Sequence, residues 1–193
     1  MGSPRNPDFS ALVAHLADAL ERHGIPFMLI GGQAVLVHGE PRLTQDIDVT
    51  LGVDPSRLAD VTAVCDELHL EVLPEDVDEF VRSTFVLPAR HVGSGVRIDL
   101  IFSTTPYEAQ AIERAVSVEM QGISVPFAAA EDLVIHKLFA GRPRDIEDAI
   151  GVVIRKGSEL DWDYLDVWVR QFAEIPGRED LPERLAALRR KIR

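Results

Sequence analysis

The run FMLIGGQAVLVHG, Phe27 to Gly39, followed by TQDIDVTL, Thr44 to Leu51, leaves this chain few folds to choose from. Phe27 to Ile30 is a short, wholly apolar run of the kind a buried strand shows, and it stops at Gly31-Gly32. QAVLVHG is long enough for about two helical turns and is closed by Gly39. TQDIDVTL then alternates, with Thr44, Asp46, Asp48 and Thr50 on one face and Ile47, Val49 and Leu51 on the other. Residues i and i+2 of a strand lie roughly 6 to 7 Å apart on the same side. A strand, a glycine turn, a short helix and a returning strand therefore carry two carboxylates together.

The rest of the chain supplies the context. Phe9, Leu12, Val13, Leu16 and Leu20 recur at helical spacing after Asp8, a suitable N-cap, and Gly24 closes that helix. Asp54-Pro55 opens another, running to about Leu68, and a short helix is expected near Val77 to Val81. TFVLPARHV and VRIDLIF read as a hairpin across Gly93-Ser94-Gly95. In its second strand Val96, Ile98, Leu100 and Phe102 form the core face, so Asp99 points the other way, with Arg97 and Ile101. Pro106 to about Val116 is helical, VSVEM and ISVPF flank the turn Gln121-Gly122, and the pattern is helical from Ala130 onward. The sequence predicts an α+β protein: a core over residues 1–128, a mixed β-sheet flanked by helices, and a helical C-terminal part over 129–193 packed on it.

Composition excludes several classes. An apolar fraction of 46% and a charged fraction of 27% are those of a globular chain. No apolar run approaches the roughly 18 to 20 residues of a bilayer span, and the start MGSPRNPDFS has no secretory pattern, so a cytoplasmic protein without a membrane partner is expected. Cys65 is the single cysteine, which rules out an internal disulfide and a cysteine zinc cluster, and its spacing from Leu58, Val61 and Leu68 marks a buried hydrophobe. A net charge of −12 argues against broad attraction to nucleic acid. The basic C-terminal RLAALRRKIR reads as cations favouring a helix C-terminus.

A site holding all three carboxylates, Asp46, Asp48 and Asp99, would have to protonate one of them or bind a multivalent cation. Mg²⁺ is the hard, oxygen-loving ion that fits, and a pair of such ions serves in-line displacement at phosphorus. Glycines at a strand-to-helix turn let the backbone approach a ligand, and the amides opening the next helix can hold a phosphate. Alone, a Gly-Gly pair is an ordinary turn and Asp-x-Asp an ordinary solvated face; together they suggest a nucleotide site.

These residues resemble the DNA polymerase beta-like nucleotidyltransferase superfamily: a hydrophobic residue and two glycines (Ile30-Gly31-Gly32), Asp-hydrophobic-Asp (Asp46-Ile47-Asp48), and a third carboxylate on a later strand (Ile98-Asp99-Leu100). GGQAVLVHGEPRLTQDID and EDLVIHKLFAGRPRDIEDAI look more specifically like the bacterial minimal nucleotidyltransferases of the AbiEii-toxin-like type. The resemblance implies the nucleotidyltransferase fold and an Mg²⁺-dependent enzyme, with two ions, held by Asp46, Asp48 and Asp99, moving a nucleoside monophosphate from an NTP to a hydroxyl. It further implies roles for Lys137, Arg142 and Asp145 in the nucleotide site. Lys137 can supply a point charge to phosphate, Arg142 a second cation, and Asp145 can orient one of them or act as a base; as plain alternatives, Lys137 is solvated and the acids of this region favour helix N-termini. Gly31 and Gly32 would cradle the triphosphate; Arg42 would bind phosphate or neutralise the acids, with Thr44 beside it. His38, His91 and His136 have no ligand spacing and are read as structural.

The acceptor is left open among a tRNA end, a protein and a small molecule. Resemblance favours a toxin with a cognate antitoxin. An antibiotic-modifying nucleotidyltransferase and a non-catalytic nucleotide-binding or interaction module are the alternatives.

Overall fold

The computed structural model describes residues 9–40, 44 and 46–192, and its contacts divide into two compact units, Met1–Ile30 with Thr44–Phe127, and Gly31–Leu43 with Ala128–Arg193. The fold is α+β.

The first unit is built on a seven-stranded mixed sheet: β1 (Phe27–Leu29), β2 (Asp46–Leu51), β3 (Leu70–Val72), β4 (Val86–His91), β5 (Arg97–Phe102), β6 (Val116–Met120) and β7 (Ile123–Phe127), in the order β3-β4-β5-β2-β1-β7-β6. β2 runs parallel to β5 and β1 parallel to β7, while the other neighbours are antiparallel. Helices α1 (Phe9–Arg22), α3 (Leu58–Glu67), α4 (Val77–Thr84) and α5 (Pro106–Glu113) belong to this unit. Ile47, Val49, Leu51, Ile98, Leu100 and Phe102 are buried, as the alternation requires, and α1 packs against β7 and α3. Cys65 is buried too, and burial pushes its thiol up to about 12, so it is a hydrophobe here.

The expected elements recur with shifted ends, among them the helix from Pro106, which stops at Glu113 rather than near Val116. β3 was not expected, because a three-residue strand shows no periodicity; only its pairing with β4, Leu70↔His91 to Val72↔Ala89, defines it. The helix after Asp54 enters through a 3-10 turn at Pro55–Arg57, since the Asp54 carboxylate accepts from the Ser56 amide at 2.7 Å and tightens the first turn. The short helix runs past Val81 to Thr84, started by Asp76 accepting from the Glu79 amide at 2.9 Å and ended by Phe85 in the left-handed region. The N-cap expected at Asp8 lies outside the described residues.

The second unit is helical: α2 (Gly31–His38), α6 (Ala130–Ala140), α7 (Pro143–Lys156), α8 (Trp162–Phe172) and α9 (Leu181–Arg189). α6 is its centre, touching α2, α7, α8 and α9. Phe139 packs edge-on against Phe172 at 5.5 Å between ring centroids, and Arg178 lies over Phe139 at 4.6 Å. His38 donates from Nε2 to the Ala128 carbonyl at 2.8 Å, tying the end of α2 to the segment before α6. Among the described residues no helix is long and apolar enough to cross a membrane.

Candidate active site

In the first unit, strand register gathers the carboxylates. β2 and β5 pair in parallel with Asp46 opposite Arg97 and Asp48 opposite Asp99, and paired residues on neighbouring strands lie about 4.8 Å apart with side chains on the same face. Asp46 is exposed; Asp48 and Asp99 are half-buried. Thr44 Oγ1 lies 3.5 Å from the Asp46 carbonyl, at the outer limit of a hydrogen bond, and Arg42 falls outside the described residues.

Oxygen donors alone, from adjacent strands of one sheet face, suit a hard divalent cation such as Mg²⁺. The side chains are not drawn together as a cage: among the described residues no group of three His, Cys, Asp or Glu could hold a metal ion. Asp99 is turned instead onto Arg97, whose Nε donates to Oδ1 at 3.1 Å and to Oδ2 at 3.2 Å. Carboxylate spacing does not mark Arg97, although its place two residues before Asp99 on the same strand face is legible in the sequence.

In the second unit, α2 begins on the glycine pair itself. Gly31 has φ +62°, a backbone conformation that a side chain at Cβ disfavours, and Gly32 is buried.

Lys137, Arg142 and Asp145 meet in the same unit, with Asp148 in addition. α6 presents Lys137 to two carboxylates one turn apart on α7, Asp145 at 2.9 Å and Asp148 at 2.8 Å. The Lys137 side chain is only 8% exposed. Arg142, whose side chain is 75% exposed, donates from Nε to Asp145 at 2.5 Å. Burial pushes the Asp145 carboxyl upward, but the hydrogen bonds from Arg142 and Lys137 outweigh it and hold the group below its usual value. Asp148 belongs to the same i, i+3 pattern as Asp145, which helical spacing alone does not distinguish from acids in a helix's first turn.

His136, next to Lys137 in the chain, is half-buried, and desolvation, assisted by the Lys137 charge, lowers it to about 4. Between that value and the ordinary 6.5 the unfolded chain holds a proton that the folded one does not. Stability should therefore be flat above about pH 6.5 and fall as the pH drops toward 4, by roughly 3 kcal/mol in all. Urea unfolding across that range should show the slope in wild type and a reduced slope in His136→Gln; identical slopes would remove His136 as its source.

The seven-stranded mixed sheet flanked by helices is the framework of a nucleotidyltransferase fold. The chain belongs to the family described as Nucleotidyltransferase of unknown function (DUF6036), whose model matches residues 9–181. The fold is similar to that of the antibiotic-resistance factor ANT(2'')-Ia in solution, at 17% identity and TM-score 0.60 over 88% of this chain and 96% of that one. It is also similar to an antigenic nucleotidyltransferase-like protein from Paracoccidioides brasiliensis, at 20% identity and TM-score 0.54 over 96% and 95%. A third likeness is to the lincosamide antibiotic adenylyltransferase LnuA, at 14% identity and TM-score 0.52 over 74% and 94%. At these identities the likeness establishes the fold. No curated protein gives a significant match to the sequence.

Proposed function

We propose that the protein transfers a nucleoside monophosphate from an NTP to a hydroxyl acceptor and releases pyrophosphate, with Asp46, Asp48 and Asp99 as the carboxylates that would hold Mg²⁺. The observation that carries this reading is the β2–β5 register, which puts Asp48 opposite Asp99 and Asp46 two residues away on one face. Bound there, the cation would neutralise the charge on the phosphates and on the displaced pyrophosphate. Asp99 then has a second role, accepting a hydrogen bond from the acceptor hydroxyl and drawing off its proton.

Gly31 and Gly32 open α2 with backbone amides free of side-chain bulk, which supports a phosphate cradle, with Thr44 and Arg42 as further contacts on the connecting segment. Of Lys137 and Arg142, exposed Arg142 is the one suited to meet phosphate; Lys137, enclosed by two carboxylates, keeps Asp145 and through it Arg142 in place.

A protein or small-molecule hydroxyl is the favoured acceptor over a tRNA end. The chain carries 32 acidic against 20 basic residues, and most of the excess lies in the unit that holds Asp46, Asp48 and Asp99. The AbiEii-like motifs support a toxin held by a cognate antitoxin; the antibiotic adenylyltransferases of like fold make antibiotic modification the second reading.

Each α-labelled NTP, supplied with Mg²⁺ and in turn with total tRNA, the protein itself, a cell extract and aminoglycosides, should label one acceptor class. Pyrophosphate release should accompany the labelling. Absence of both with every acceptor would favour a nucleotide-binding module without turnover.

A further inference from the structure

Arg97 occupies an unusual place for a cation. It opens β5 directly opposite Asp46 and two residues before Asp99, so it stands on the face that carries all three carboxylates. Its guanidinium meets both oxygens of Asp99, with Nε at 3.1 and 3.2 Å and Nη2 at 3.1 Å from Oδ1. On the other side Arg90 of β4 is paired with Arg97, and Pro88 with Asp99. The cross-strand row is thus Arg90, Arg97, Asp46, and the next is Pro88, Asp99, Asp48. Like charges paired across neighbouring strands disfavour each other, so Arg97 is better placed over Asp99 of its own strand than toward Arg90, and the residue paired with Asp99 on β4, Pro88, offers no side-chain donor.

We infer that Arg97 is the built-in counter-cation of this carboxylate row, a positioning residue that holds Asp99 oriented in the metal-free protein and that a divalent cation must displace to use Asp99. The inference rests on the metal reading given above. A metal ion and a guanidinium compete for the same two oxygens, so every interaction that Arg97 makes with Asp99 is subtracted from the cation's affinity. The Arg97 side chain is half exposed, at 50%, which keeps the exchange inexpensive and gives the displaced guanidinium a way into solvent.

Mn²⁺ binding to the intact protein without nucleotide, followed by electron paramagnetic resonance, tests this. Arg97→Gln should bind Mn²⁺ roughly two- to fivefold more tightly than wild type, and Arg97→Lys should fall between them. A merely structural role would move affinity the other way, because a loosened strand binds less well. Wild-type binding with Arg97→Gln equal or weaker overturns the role of Arg97 and leaves the metal reading standing. Wild-type binding that survives in Asp48→Asn unchanged, or no binding in any variant, overturns both.

Discussion

Asp48→Asn should lower kcat/KM for nucleotidyl transfer by about 10³-fold or more, equivalent to ~4 kcal/mol of transition-state stabilisation, with the fold retained. Asp48 sits at the middle of the carboxylate row, across from Asp99 and two residues from Asp46, so it is the charge whose removal leaves the other two furthest from a shared cation. Its backbone makes a separate contribution, because the Asp48 carbonyl accepts from the Ile30 amide at 2.9 Å and so holds the end of β1; the substitution does not touch that bond. Asparagine keeps the size and removes only the charge of a half-buried group. Pyrophosphate release measured alongside urea unfolding separates the two effects. An Asp48→Asn protein that releases pyrophosphate like wild type would show that the carboxylate row is not the reacting centre.

Lys137→Met should cost stability rather than chemistry in the first instance. It takes a buried ammonium from between Asp145 and Asp148, both almost wholly enclosed, and leaves their charges without it. Breaking a buried pair from one side costs about 3 to 5 kcal/mol, because the desolvated charge remains. Changing Asp148 to asparagine in the same protein should recover part of the loss, since one of the two negative charges then goes as well. Arg142→Gln, at a side chain mostly in solvent, should change stability by less than about 1 kcal/mol while weakening NTP binding.

Acid sensitivity gives a second measure of the same network. Asp145 is held below its usual value in the fold, so its contribution is present above the range where a free carboxyl titrates and is lost as pH falls through that lowered value. Lys137→Met should reduce that loss below about pH 4, a window distinct from the one assigned to His136. Equal urea midpoints for Lys137→Met and wild type would mean that the cluster contributes no net stability.

The strand and helix pattern was legible because burial on one face writes itself into the sequence. Ile47, Val49 and Leu51 alternate with Asp46, Asp48 and Thr50, and the structure has the first three wholly buried. β3 was not legible, since three residues carry no period and its existence depends on a partner strand well beyond it along the chain. Helical spacing marks Cys65 as a hydrophobe, and its burial agrees.

The sequence alone determined the residue types and their side of the strand: two acids at i, i+2, a third acid on a later strand, and glycines at a strand end, because alternation and backbone freedom are local properties. Tertiary structure decided which of these meet. The parallel register of β2 with β5 set Asp48 against Asp99 and Arg97 against Asp46, and the packing of α7 on α6 brought Asp145 and Asp148 around Lys137. Those pairings depend on how segments far apart along the chain, or two separate helices, come into register, and no local pattern encodes that alignment.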